Sequence, residues 1–162
     1  MKLYSRRHSD FKKRFPPIAD ALAELKPTAI LDGEIVALDE EAKPRFEWLV
    51  SRGPQRGALV YYVFDLLMLD GKDLREMLLL TRKVRLQRLI YVDHIEGRGL
   101  EMFAGALAVG LEGVVAKDSK SPYVEGPAVT GHGQKIKNSD YKRQGKVDGN
   151  LVGGKAVGRT VL

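Results

Sequence analysis

The stretch LEGVVAK at residues 111–117, with KIK at residues 135–137, decides the fold of this chain. Apart from its two charged residues, LEGVVAK is apolar, and it predicts a strand over residues 111–116. A lone carboxylate such as Glu112 is costly inside such a strand unless another group pairs with it. Gly113 has no side chain and allows close approach by backbone or ligand. Strict alternation puts Glu112 and Lys117 on opposite faces, so sharing a pocket requires a twist or a bulge.

The short segment KIK also predicts a strand. Alternation puts Lys135 and Lys137 on one face and Ile136 on the other. Two neighbouring ammonium groups repel each other unless an anion lies between them, so this pair suits a phosphate. A solvent-facing edge strand is the alternative interpretation.

A second acidic feature lies in the strand predicted over residues 29–38. Its alternation puts Asp32 and Glu34 on one face and Leu31 and Ile35 on the other. Two acids on one face need water, a cation or a base as partner. They either lie on an exposed antiparallel face or bind a ribose hydroxyl or a hard cation such as Mg²⁺.

An aromatic strand is predicted over residues 59–69, closed by a turn at Asp70 and Gly71. Phe64 is either a core residue or a flat surface that stacks on a purine. Strict alternation sorts the side chains into Tyr62, Phe64 and Leu66 on one face and Tyr61, Val63 and Asp65 on the other.

The remaining pattern is mixed helix and strand with hairpins, which predicts an α+β fold instead of regular βαβ alternation. Asp10 is the predicted N-cap of the first helix. The basic run Arg82, Lys83, Arg85 and Arg88 is interpreted as a solvated helix face. Further elements are predicted as helices over 11–25, 46–50, 81–90 and 100–109, the last ending at Gly110, and a strand over 91–95.

Composition limits the classes of function. The chain has 162 residues, enough for a domain with its own core. A net charge of +6 favours polyanion partners such as DNA, RNA or nucleotides. With no cysteine there is no disulfide, thiol nucleophile or thiolate zinc site. Neither a secretory signal nor a membrane-spanning apolar run is found, so a cytoplasmic protein is expected.

In their order along the chain, these segments resemble the nucleotidyltransferase domain of ATP-dependent DNA ligases, most closely the bacterial type of end-joining repair. The resemblance implies an ATP-grasp-like α+β fold in which antiparallel sheets flanked by helices surround a nucleotide cleft. It implies metal binding by Glu34 and Glu112. The nucleotide-binding residues that it implies are Arg6, Glu34, Phe64, Lys117, Lys135 and Lys137.

The family reaction begins when a lysine takes AMP from ATP with the help of Mg²⁺. The AMP then passes to a 5′-phosphate, and the strand is sealed. The resemblance therefore implies ATP and Mg²⁺ as cofactors, nicked or broken double-stranded DNA and end-joining repair proteins as partners, and a place at the bacterial nucleoid.

The sequence departs from the family at the nucleophile. The family's Lys-x-Asp-Gly precedes the segment of Tyr4 to Arg6, whereas here that pattern occurs at residues 146–149, after KIK. We interpret Lys146 as a coincidence and assign no catalytic lysine. The expected organisation is a partial, N-terminally truncated adenylation domain over 1–146, inactive alone, and a linker or the start of a missing OB domain over 147–162. The alternatives are a non-catalytic module that binds nucleotide or DNA, and an RNA ligase or capping-type relative.

Overall fold

The computed structural model describes residues 1–50, 56–89, 97–124, 133–141 and 157–161. The helices are α1 (Pro16–Ala23), α2 (Phe46–Val50), α3 (Leu79–Gln87) and α4 (Gly99–Ala108). The strands are β1 (Lys2–Ser5), β2 (Ala29–Leu38), β3 (Ala58–Leu69), β4 (Lys72–Asp73), β5 (Gly113–Ala116), β6 (Gln134–Lys137) and β7 (Val157–Val161).

The chain divides into two compact units, one of Met1–Leu74 with Val147–Leu162 and one of Arg75–Lys146. The first unit contains a five-stranded sheet in the order β1-β7-β2-β3-β4. The second contains the two-stranded sheet β5-β6. Every described pairing in the two sheets is antiparallel, so the predicted α+β class with antiparallel sheets and helices is confirmed.

The core of the first unit is built on β2, where buried and half-buried residues alternate along all ten positions. Leu31 and Ile35 are fully buried, as the alternation predicts. They belong to a core that also includes Leu3 of β1, Leu22 of α1 and Leu66 of β3. The chain reverses after β3 at Asp70 and Gly71, both with positive φ, which confirms the predicted turn.

Strand β7 lies between β1 and β2 and is antiparallel to both, so it is an internal strand of the sheet. It comes from the segment 147–162 for which we predicted a linker or the start of another domain. The domain boundary after residue 146 remains a prediction.

The first helix differs from its prediction. It begins at Pro16, and the residue before it, Phe15, makes no side-chain capping hydrogen bond. Proline suits this first turn because its missing N–H has no partner there in any helix. The prediction of Asp10 as the cap is wrong: its carboxylate accepts a hydrogen bond from the Lys12 backbone N–H at 2.8 Å, and its backbone bridges to Tyr4.

Helix α3 also corrects the sequence-based interpretation. Its buried residues are Leu79, Arg82, Lys83 and Leu86, at spacings of three and four that define one helix face. The interpretation of the basic run as a solvated face is therefore wrong for Arg82 and Lys83. Val84, between these buried positions and Leu86, is 50% exposed.

Helix α4 is followed by Gly110 with φ 72°, the conformation expected just after a helix end. The strand predicted over 91–95 lies outside the described residues. Among the residues that are described, no helix is both long and apolar enough to cross a membrane.

Candidate functional site

The β5–β6 pair brings LEGVVAK and KIK side by side. Lys135 lies opposite Val115 and Lys137 opposite Gly113, in a register without interruption. Lys135 and Lys137 therefore share one face of the pair, as predicted. Lys137 is exposed and Lys135 is half-buried.

Glu112, just before β5, forms an ion pair with Lys135. Strict alternation from β5 would turn Glu112 away from that lysine. Gly113, the residue after Glu112 and the first of β5, has φ 147°, which a residue with a side chain rarely adopts. The alternation of side chains therefore breaks at this point. The carboxylate of Glu112, which the sequence predicted to need a partner, thus has a basic one.

Gly113 has a second reason to be glycine. A Cβ at this position would lie 2.1 Å from the carbonyl oxygen of Ile136 on β6. Since no real Cβ makes such a contact, the close approach of the two strands requires the missing side chain. The prediction of a close approach at Gly113 is confirmed, and the approaching group is backbone.

Lys117 is exposed and follows the last residue of β5. The segment after Lys117 is held by backbone hydrogen bonds. Ser121 is buried, and its backbone carbonyl accepts a hydrogen bond from the Leu79 N–H at 3.0 Å. The Tyr123 N–H donates to the carbonyl of Arg75 at 2.7 Å. Lys117 therefore lies between a paired strand and a segment fixed to the start of α3.

In the first unit, Asp32 and Glu34 are half-buried on the same face of β2, as predicted. Glu34 lies opposite Tyr62 of β3, and Asp32 lies opposite Asp65. Residues directly opposite each other share a face, so these side chains line one surface of the sheet. Between the two acids, a Cβ on Gly33 would lie 2.5 Å from the carbonyl oxygen of Tyr62, which explains the glycine.

Phe64 is half-buried at an irregularity of β3. Val63 lies opposite Gly33 and Asp65 opposite Asp32, so Phe64 is an extra residue, a bulge. The predicted sharing of a face by Val63 and Asp65, and by Tyr62 and Leu66, is therefore wrong. Strict alternation fails because the bulge shifts the phase of β3 by one residue. Bulges commonly redirect a side chain beside a binding site.

Asp65 is a candidate site residue that the sequence pattern did not identify. It is 2% exposed, and its carboxylate accepts a hydrogen bond from the Leu66 backbone N–H at 2.9 Å. The available signal was a single acid inside an apolar aromatic strand. The bulge that places it opposite Asp32 has no signature in a single sequence.

Arg6 is exposed in the turn that follows β1. The Ser5 side-chain oxygen accepts hydrogen bonds from the backbone N–H groups of Arg7 at 3.2 Å and Ser9 at 3.0 Å. His8 completes the turn with φ 61°. Arg6 is thus presented on a short turn held by local hydrogen bonds.

The first unit thus contains Arg6, Glu34 and Phe64, and the second contains Glu112, Lys117, Lys135 and Lys137. Within the second unit the structure brings Glu112 and Lys135 into contact. Across the described ranges, no group of three or more His, Cys, Asp or Glu side chains is arranged to hold a metal ion. Carboxylates such as Glu112 still fit Mg²⁺, which in nucleotide sites usually takes one or two of them together with phosphates. Lys146 lies outside the described residues.

The β5–β6 pair thus has two lysines on one face and, just before β5, an acid that pairs with one of them. The profile of the ATP dependent DNA ligase domain family matches residues 1–137. The chain therefore belongs to the family of ATP-dependent DNA ligase domains.

Curated relatives agree. A probable DNA ligase of Kineococcus radiotolerans is 36% identical over 140 residues, which cover 78% of this chain and 27% of that protein. The multifunctional non-homologous end joining protein LigD of Pseudomonas aeruginosa is 36% identical over 140 residues, covering 76% and 16%. The chain spans only a minor part of the length of these relatives.

Solved structures show the same likeness. The ligase domain of LigD from M. tuberculosis superposes with a TM-score of 0.73 at 33% identity, covering 84% of this chain and 47% of that one. A mycobacterial DNA ligase D complexed with ATP and MES gives 0.71 at 32% identity, with the same coverage of 84% and 47%.

Proposed function

We propose that this chain is the nucleotide-handling part of an ATP-dependent DNA ligase that acts on nicked or broken duplex DNA. The observation that carries the proposal is the pairing of β5 with β6, which brings Glu112 and Lys135 together and puts Lys137 on the same face as Lys135. The similarity to LigD supports a role in end joining, alongside repair proteins. This role implies a cytoplasmic location at the bacterial nucleoid.

The proposed roles follow from the chemistry of each side chain. Lys135 and Lys137 contact the α-phosphate of the nucleotide, since ammonium groups form strong charge-assisted hydrogen bonds with phosphate oxygens. Lys117, exposed at the end of β5, adds a third positive charge. Glu112 holds Mg²⁺, which when bound supplies positive charge at the phosphate oxygens.

The remaining roles are proposed for three residues of the first unit. Phe64, set on its bulge, stacks on the adenine ring, and Glu34 binds the ribose or the metal ion. Arg6, exposed on its turn, contributes a further cation to the nucleotide. We expect a polypeptide of residues 1–162 to bind nucleotide without taking up AMP covalently, because its Lys-x-Asp-Gly follows KIK in the chain.

Titration of ATP and AMP with Mg²⁺ by calorimetry or NMR tests the nucleotide site. Millimolar affinity, about −4 kcal/mol, is expected. The Lys135→Ala/Lys137→Ala double variant should bind about a hundredfold more weakly, because each of the two lost charge-assisted bonds costs about 1.5 kcal/mol. Lys12→Ala/Lys13→Ala, which removes two exposed lysines of the first unit, is the control of equal charge. Equal binding by the two folded double variants would reject the assignment of Lys135 and Lys137 to the phosphate.

The DNA part of the proposal has its own test. With a net charge of +6, we expect binding to nicked duplex DNA to be mainly electrostatic. Affinity should then fall steeply between 50 and 200 mM salt, by about tenfold for every two phosphates neutralised, with little sequence preference. An affinity that does not change with salt, or preference for RNA ends over nicked DNA, would contradict it.

A further inference from the structure

Arg82 is the most deeply buried charged side chain among the described residues, with 1% of its surface exposed. It lies on α3, outside the residues given roles in nucleotide binding. Burying a guanidinium is costly unless its donors are satisfied, so the groups that Arg82 contacts are its main stabilising partners.

The contacts of Arg82 join two separate stretches of chain. Its Nη1 donates to the backbone carbonyl of Met77 and lies 3.5 Å from that of Arg75, both just before α3. The same nitrogen lies 3.4 Å from the carbonyl of Ser121. The guanidinium carbon is 5.9 Å from the centre of the Tyr123 ring, a cation–π arrangement.

Backbone hydrogen bonds join the same two stretches of chain. The N–H groups of Leu79 and Leu80, at the start of α3, donate to the carbonyls of Ser121 at 3.0 Å and Ser119 at 3.1 Å. Ser121 also binds back to Asp118 through its N–H at 3.1 Å and its hydroxyl at 2.8 Å. Residues 118–123 are thus fastened to the first turn of α3, with Arg82 beneath the attachment.

Lys117 is the residue immediately before this fastened segment. On its other side, β5 is held by its pairing with β6. The backbone of Lys117 is therefore fixed from both directions, although its side chain is exposed. Loosening the attachment at 118–123 would leave β5 intact and allow Lys117 to move.

We propose that Arg82 is a positioning residue that sets the place of Lys117 for the nucleotide phosphate, by fastening residues 118–123 to α3. The inference rests on the proposed nucleotide-binding function. Arginine suits the task because its planar, forked guanidinium reaches several carbonyls and stacks on an aromatic ring at once. The ammonium of a lysine keeps the charge but cannot make this set of contacts together.

A double-mutant cycle in ATP affinity, with Mg²⁺ present, tests the proposal. Arg82→Lys in the 162-residue chain should weaken ATP binding by about threefold to tenfold, within the range of coupling measured between residues that act through each other. In a Lys117→Ala background, Arg82→Lys should add less than about twofold, because the residue through which it acts is gone. Arg85→Lys, one turn away on the same helix, is the matched control and should leave affinity unchanged.

Hydrogen exchange of the Tyr123 and Leu79 amides, measured without nucleotide, reads the attachment directly. Both amides should exchange faster in Arg82→Lys than in the unaltered protein. Tyr123→Leu removes the aromatic ring that Arg82 contacts and so weakens the same attachment. If Arg82→Lys does not fold, Tyr123→Leu should show both the weaker ATP binding and the faster amide exchange. Equal, additive losses in the two backgrounds, or unchanged exchange, would overturn the inference. Absence of ATP binding by the unaltered protein would instead overturn the proposed function, and this inference with it.

Discussion

The carboxylate of Glu112 pairs with the ammonium of Lys135 across β5 and β6. The two side chains are 34% and 27% exposed, so water screens the pair only partly. The resemblance to DNA ligases assigns one of these residues to a metal ion and the other to a phosphate. Their mutual pairing means that each ligand has to displace a contact already present.

Removing the carboxylate should therefore strengthen binding of the phosphate and weaken binding of the metal ion. Glu112→Gln is expected to raise affinity for AMP without Mg²⁺ by about threefold, since an opposite charge is lost beside Lys135. The gain that Mg²⁺ confers on ATP binding should shrink. Calorimetry with and without Mg²⁺ measures both effects. Glu101→Gln on α4, which breaks an exposed pair with Arg98 just before that helix, is the control of equal charge. Identical behaviour of the two variants would show that Glu112 has no part in the site.

Phe64 should contribute to binding of the adenine base and not to binding of the phosphates. Phe64→Leu keeps an apolar side chain but removes the aromatic face, and stacking is worth about 1–3 kcal/mol per base. ATP affinity should then fall by about tenfold, whereas affinity for inorganic triphosphate should stay the same. Competition between the two ligands in an NMR titration separates the effects. A parallel loss for both ligands would mean that the substitution disturbs the sheet instead of the adenine contact.

Gly113 should be needed for the strand pair itself. Gly113→Ala puts a Cβ 2.1 Å from the Ile136 carbonyl oxygen at a backbone angle that alanine avoids. The free energy of unfolding should fall by about 1–3 kcal/mol, the usual cost of such strain. Gly105→Ala on α4 is the matched control: nothing lies within 4 Å, and alanine favours a helix. Urea unfolding compares the pair, and equal stability of the two variants would refute the close approach of β5 and β6.

Strand β7 should stabilise the sheet of the first unit as an internal strand. Thr160 lies opposite Leu3 of β1 and Leu31 of β2. Thr160→Pro removes a backbone N–H from an internal strand, where proline is rarely tolerated. Amides of β1 and β2 should exchange faster with solvent in this variant. Thr160→Ala keeps the N–H and should behave like the unaltered protein. No difference between the two variants would mean that β7 is not seated between β1 and β2.

Local pattern alone predicted much of this protein. The ten alternating residues of β2, the strand at KIK, the turn at Asp70 and Gly71 and the end of α4 at Gly110 all follow from periodicity and turn chemistry. These features depend on residues close in the chain, whose side chains repeat every two or 3.6 positions whatever lies around them. The order of the acidic, aromatic and basic segments was also sufficient to indicate the family.

Tertiary structure decided what distant segments do to one another. The bulge at Phe64, the pairing of Glu112 with Lys135 and the burial of Arg82 each depend on a partner far along the chain. So does β7, which lies between two strands more than a hundred residues before it. Register and burial follow from packing of the whole unit, and a one-residue shift reverses the face of every later side chain in a strand. For that reason strict alternation misplaced Asp65, and a basic helical run concealed the buried arginine.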